Sequence, residues 1–171
     1  MSAMTLTRPI RPPEPLAARS LAPGSPAPGS QARRVRLAAG PAAVPAARRQ
    51  VQAALRTWEV PVDPADVALL TSELVTNAVR HVAGPVVTLV ITCSCGQVRV
   101  DVHDTSRALP EVADVPADAE TGRGLHLVAT LADEWGFYRT PAGKAVYFML
   151  AFQSGLAPGT GGRSMPGDGE P

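Results

Sequence analysis

At 171 residues with 45% apolar composition, the chain can bury one self-standing core and carry tails besides. No apolar run approaches the length of about 18 residues that a bilayer span requires, and no apolar segment follows the first charges, which argues against a membrane protein and a secretory leader. The net charge of +1 conceals an asymmetry: residues 1–50 hold eight arginines against Glu14 alone, and the remainder holds seven arginines and Lys144 against fourteen acids.

A basic arm on an acidic body can touch nucleic acid, an acidic partner or its own domain, and it is equally what a solvated tail looks like. Residues 1–30 are rich in Pro, Ala, Gly, Ser and Arg without apolar periodicity, and residues 154–171 repeat that character. Both are expected to be disordered tails around one domain at 31–153. Within it, residues 33–38 read as an edge strand. Residues 44–58 place Val44, Ala47, Val51, Ala54, Leu55 and Trp58 at helical spacing, and Pro61 stops any continuation. Asp63 then serves as an N-cap, with Pro64 at the first helical position and Asp66 in the first turn, opening a second helix that Gly84-Pro85 ends.

Residues 86–92 and 97–104 are β-branched runs joined at Ser94-Cys95-Gly96, hence an antiparallel hairpin. Residues 109–121 carry no usable period. Residues 122–132 read as a third helix through Leu125, Val128, Ala129 and Leu131, and residues 135–139 and 144–152 as a second hairpin around Pro141-Ala142-Gly143. The order β-α-α-β-β-α-β-β predicts an α+β two-layer sandwich, a mixed, mostly antiparallel sheet with helices on one face. Cys93 and Cys95 are the only cysteines. One residue apart, with no second Cys/His pair to complete a zinc tetrahedron, they are expected to be reduced thiols in a cytoplasmic protein.

The second helix holds the most informative stretch. Glu73, Asn77 and His81 lie four residues apart and so share one face, beside the apolar face of Val67, Leu70, Leu74, Ala78 and Val82. A carboxylate and a carboxamide at the edge of a core need partners, and a metal bound to a phosphate would satisfy both. On the hairpin, Val98, Val100 and Val102 alternate with Arg99, Asp101 and His103, which puts Asp104 on the valine face. There it either meets a ligand donor such as an amino group or caps the following turn. Thr121-Gly122-Arg123-Gly124-Leu125 opens the third helix, where glycines permit close approach and first-turn amides favour anions; a tight loop-to-helix turn has the same sequence. It is not a Walker loop, since no Lys-Ser/Thr pair follows the glycines. Lys144 reads as an edge-strand charge. Glu111, Asp114, Asp118 and Glu120 occupy a segment long enough for a lid over a nucleotide, or for a plain solvated loop.

Taken in order, these segments resemble the GHKL ATPase superfamily, which includes the ATP-binding domains of histidine kinases, Hsp90, type II topoisomerases and MutL. Ser72-Glu73-Leu74-Val75-Thr76-Asn77-Ala78-Val79-Arg80-His81 is similar to the N box of its small single-domain branch, the anti-sigma-factor serine kinases. Thr121-Gly122-Arg123-Gly124-Leu125 is similar to that branch's second glycine box, and Ala132-Asp133-Glu134-Trp135-Gly136 with Gly143-Lys144-Ala145-Val146-Tyr147-Phe148 to its closing hairpin. The resemblance covers residues 33–152. One box departs: the superfamily's Asp-x-Gly-x-Gly reads Asp104-Thr105-Ser106-Arg107-Ala108-Leu109-Pro110 here, a more restricted backbone at the base-binding turn.

The resemblance implies the Bergerat fold, with ATP and Mg²⁺ as cofactors. By it, Asn77 coordinates the Mg²⁺, Glu73 is the general base, Asp104 accepts from the adenine amino group, and Gly122, Arg123, Gly124 and Leu125 border the phosphates. His81 and His103 line or adjoin the pocket. The activity implied is ATP-dependent phosphorylation of serine or threonine on a small anti-sigma-factor antagonist, and through it control of a sigma factor. The alternative is an ATP-gated module that sequesters a regulator without kinase activity. A homodimer is implied by analogy; nucleic acid is not an expected partner. No phosphoacceptor-histidine hairpin, membrane sensor or transducer segment is recognisable, so an autonomous histidine kinase, a topoisomerase and a MutL role are not expected.

Overall fold

The computed structural model describes residues 30–82, 84–109 and 123–153. The expected tails, apart from Ser30, lie outside the described residues. Five strands form one sheet: β1 (Gln31–Ala38), β2 (Val86–Ser94), β3 (Gln97–Asp104), β4 (Glu134–Thr140) and β5 (Gly143–Ala151), in the spatial order β1-β2-β3-β5-β4. Helices α1 (Ala43–Thr57), α2 (Pro64–His81) and α3 (Arg123–Leu131) cover one face of it. All four described strand pairs are antiparallel, so the sheet is not mixed. Each neighbouring pair except β3–β5 is either a hairpin or joined by the helices, and antiparallel pairing follows wherever the return is short.

Alternation along the strands decides which side is buried. Val87, Leu89 and Ile91 of β2, Val98, Val100 and Val102 of β3, and Val146 and Phe148 of β5 pack with Val51, Leu55, Val67, Leu70, Leu74 and Val75 of the helices. β5 lies between β3 and β4, with both neighbours hydrogen-bonded to it. Lys144 is therefore not an edge charge: it sits on an interior strand and is 2% exposed. β1 and β4 are the edges.

Local chemistry fixes the ends of the elements. Asp63 accepts a hydrogen bond from the Ala65 amide at 2.7 Å, capping α2 ahead of Pro64, as its sequence requires. Arg80 and His81 occupy its last turn, where positive charge complements the helix dipole. α1 ends at Thr57 with Trp58 as its C-cap, within one residue of the end read from the sequence and ahead of Pro61. Glu59 is left-handed at φ 51°. The Val60 amide donates to the Leu55 carbonyl at 3.0 Å and the Glu59 amide to the Arg56 carbonyl at 3.3 Å, which closes the last turn. The β2–β3 turn has Cys95 at φ 51° and Gly96 at φ 75°, the two positive values that a tight hairpin turn takes. Cys93 and Cys95 are both free thiols, and burial pushes the Cys93 pKa up.

Candidate functional site

The site is assembled where β3 ends, β5 begins and α2 meets α3. Glu73 and Asn77 are half-buried on α2, and His81, one turn further, is exposed. The stripe read from their spacing thus runs from the edge of the core out to solvent. Gly124 lies in the first turn of α3, directly against Glu73: a Cβ at this glycine would collide with Glu73 Oε2 and stand 3.6 Å from its Cβ. The absence of a side chain is what lets the carboxylate lie on the amino-terminal turn of the neighbouring helix. Leu125 is half-buried and packs on the core edge. Thr121 and Gly122 lie outside the described residues, as does the acidic segment 110–120, and only the backbone of Arg123 is described.

Asp104 remains in β3 and is 5% exposed, on the same face as the valines. Its Oδ1 accepts the Ser106 amide at 2.7 Å, so it caps the turn that follows. The same oxygen accepts from Lys144 Nζ at 3.0 Å. The pairing register explains the meeting, because Asp104 and Lys144 are cross-strand partners of β3 and β5. The two side chains are 1% and 3% exposed. A sequence signal for this pair exists: once residues 97–104 and 144–152 pair antiparallel from that end, the two positions come level.

Two further glycines hold this corner together, and neither stands out in the sequence as a packing residue. A Cβ on Gly143 would strike the Asp104 carbonyl and lie 2.7 Å from Thr105 Cα, so the start of β5 is pressed on the backbone of the Asp104 turn. A Cβ on Gly84 would lie 3.0 Å from Thr105 Oγ1, which ties the segment after α2 to the same turn. Beside it, Arg107, Arg139, Thr140, Pro141 and Gly143 line a cavity of about 260 Å³. A larger one of about 330 Å³ lies at the opposite end of the sheet, around Trp58, Cys95 and Phe152, and is lined by none of Glu73, Asn77, His81, Asp104, Gly124 and Leu125.

His103 does not adjoin the pocket. Its parity puts it on the helix-free face of the sheet, opposite Thr88 and Ala145, with its ring edge-on to Tyr138 at 6.1 Å. That face has its own polar cluster. Arg99 donates to both carboxylate oxygens of Asp101 at 2.7 and 2.8 Å, and its guanidinium lies 3.7 Å from the Tyr147 ring centroid. Tyr138 donates to Asp101 at 3.1 Å and Tyr147 to Glu134 at 3.0 Å. Burial, with the neighbouring carboxylates, pushes both phenols up to about 12.

The residues present fit a magnesium nucleotide. Among the described residues no cluster of three or more Asp, Glu, His or Cys could hold a metal. A Mg²⁺ that keeps waters and phosphate oxygens needs only one or two protein ligands, and Asn77 can be one. The lack of a side chain at Gly124 brings the first turn of α3 directly against Glu73, so the α2 carboxylate sits beside a helix start of the kind that holds anions. No described helix is long and apolar enough to cross a membrane.

Helices on one face of a five-stranded antiparallel sheet make an α+β sandwich, with a buried carboxylate at a strand end and the first turn of α3 beside the Glu/Asn helix. The family model for the histidine kinase-like ATPase domain matches residues 37–150, and the chain belongs to that family. Among solved structures, the RsbU and RsbW domains of Rv1364c from Mycobacterium tuberculosis are similar to this chain. Identity is 24% and the TM-score 0.45, over 70% of this chain and 32% of that one. The chain thus spans about a third of the length of that structure. No curated protein matches it.

Proposed function

We propose that the protein is an ATP-dependent serine/threonine kinase of the anti-sigma-factor type, acting on a small antagonist protein and through it on a sigma factor. The observation that carries this reading is the contact of Gly124 with Glu73, which joins the Glu/Asn helix to the opening of α3. The N-box sequence from Ser72 to His81 supports the choice of branch.

In this reading Asn77 ligates the Mg²⁺ that neutralises the triphosphate, and His81 flanks it at the solvent end of the stripe. Backbone amides at Gly122, Arg123, Gly124 and Leu125 hold the phosphate oxygens, and Asp104 accepts from the adenine amino group. Glu73 takes the proton from the attacking hydroxyl as the new O–P bond forms and the bond to the ADP oxygen breaks. Such a reaction asks for charge neutralisation and positioning more than for covalent chemistry.

Mixing the full chain with labelled ATP and candidate antagonist proteins tests it. Label should pass to the antagonist, and Glu73→Gln should slow that transfer by about 10²–10⁴-fold. Unchanged transfer in the variant would remove Glu73 from its role. The second reading is an ATP-gated module that sequesters a regulator, motivated by the departure of Asp104-Thr105-Ser106-Arg107 from Asp-x-Gly-x-Gly and by the basic N-terminal segment. A stable complex without labelled product would select it.

A further inference from the structure

We propose that the cavity between the turn after β3 and the β4–β5 turn is an anion site for a phosphate monoester, distinct from the nucleotide site. It stands on the cavity itself and does not need the kinase reading.

The cavity, about 260 Å³, is lined by Arg107, Arg139, Thr140, Pro141 and Gly143, with no acidic residue among them. None of Glu73, Asn77, His81, Gly124 and Leu125 reaches it. Strand register explains why positive charge gathers there. Asp104 is opposite Lys144 across β3 and β5, and Lys144 is opposite Arg139 across β5 and β4. Cross-strand partners share a face, and like charges directly opposite one another repel. Asp104 neutralises Lys144 at 3.0 Å, but among the described residues neither Arg107 nor Arg139 has a carboxylate partner. Two exposed arginines therefore stand beside a lysine whose counter-charge is already engaged. A bound anion relieves that repulsion.

The walls are held by contacts that leave donors over. Arg139 Nη1 donates to the Arg107 carbonyl at 3.3 Å, tying β4 to the turn after β3. The Gly143 amide donates to Thr140 Oγ1 at 3.1 Å, and Gly143 is pressed on the backbone of Asp104 and Thr105. A guanidinium has five N–H donors, of which Arg139 uses one. The Arg107 side chain uses none among the described residues, and Thr140, accepting at its oxygen, keeps its O–H to donate. Pro141 has no N–H, and that of Gly143 is engaged. The lining side chains thus offer donors and positive charge, which suits neither a cation nor a neutral base. A carboxylate is filled by one guanidinium fork. A phosphate monoester presents three terminal oxygens and close to two charges, enough for two arginines and a hydroxyl.

Calorimetry on the full chain without nucleotide tests this, using a short phosphoserine peptide, its unphosphorylated counterpart and ribose 5-phosphate. Phosphate monoester should bind saturably where the unphosphorylated peptide does not. The tighter of the two monoesters assigns the carrier, a protein side chain or a small metabolite. Arg107→Gln should weaken that binding about tenfold, the loss of a hydrogen bond between charged groups. Arg139→Gln should do the same. Since Arg139 also holds the Arg107 carbonyl, Arg107→Gln, which removes no described contact of its side chain, separates ligand binding from support of the wall. The affinity of Arg139→Gln for Mg-ATP should stay at the wild-type value. Three results would overturn the proposal: no binding of either monoester by folded wild type, binding that survives both substitutions, or equal losses of Mg-ATP and monoester affinity in Arg139→Gln. The last would make the cavity part of the nucleotide site. Failure of wild type to bind Mg-ATP while it binds a monoester would overturn the nucleotide reading alone.

Discussion

Asp101 and Asp104 lie three residues apart on one strand, are 4% and 5% exposed, and face opposite sides of the sheet. Asp101 is gripped by a bidentate arginine, itself stacked on Tyr147, and by the Tyr138 hydroxyl. Planar guanidinium and rigid rings leave such a carboxylate little freedom. Asp104 stands at the strand end, held through one oxygen by a lysine and a turn amide. The first arrangement is closed on itself and belongs to the fold. The second is adjustable and lies at the meeting point of the segments assigned to the nucleotide. Burial alone does not separate them; the nature of the partner does.

The sharpest way to break the comparison is to exchange the losses. Arg99→Met leaves Asp101 buried without its ion-pair partner and should cost about 3 kcal/mol in chemical denaturation, at the lower end for a broken buried pair because Arg99 is partly exposed. Its ATP affinity should not change. Asp104→Asn leaves the buried Lys144 without its carboxylate and should cost stability as well, but it should also weaken ATP about tenfold or more in calorimetry through the lost charged acceptor. Equal effects of the two substitutions on ATP binding would erase the distinction.

A smaller effect sharpens it. Gly124→Ala introduces a methyl group that meets the far end of a flexible glutamate, and alanine favours the helix, so stability should stay within about 1 kcal/mol of wild type. Displacing Glu73 should nonetheless slow phosphoryl transfer by about tenfold, since a general base must keep hydrogen-bond reach. Normal transfer in this variant would show that the contact is packing only.

The smallest effect belongs to the helix-free face. Burial holds the His103 pKa below its ordinary value of 6.5, with Arg34 and Arg99 adding to the shift and Asp101 and Asp104 opposing it. The unfolded chain therefore takes up a proton that the folded one resists, and stability declines as pH falls from 6.5 through the lowered folded value. His103→Gln should flatten that slope in denaturant titrations. An unchanged slope would assign it to other groups.

Much of this architecture is legible in the sequence alone. α2 announces itself through Asp63, Pro64 and its apolar face, and the Glu73, Asn77 and His81 stripe follows from helical spacing. Alternation by itself places Asp104 on the core face of β3. What the sequence hides shares one cause, the long-range arrangement of elements. Nothing local to Lys144 says that β5 inserts between β3 and β4, and the alternation that buries Asp104 also sends His103 to the far side of the sheet. The contact of Glu73 with Gly124 joins residues 51 positions apart and depends on how two helices pack.

Everything proposed for the site depends on a magnesium nucleotide held by α2. Calorimetry of ATP against the full chain, with and without Mg²⁺ and with Asn77→Ala in parallel, addresses it directly. ATP binding that requires Mg²⁺ and is lost in the folded variant is the predicted result. Absence of binding by folded wild type, or binding indifferent to both the metal and Asn77, would contradict it.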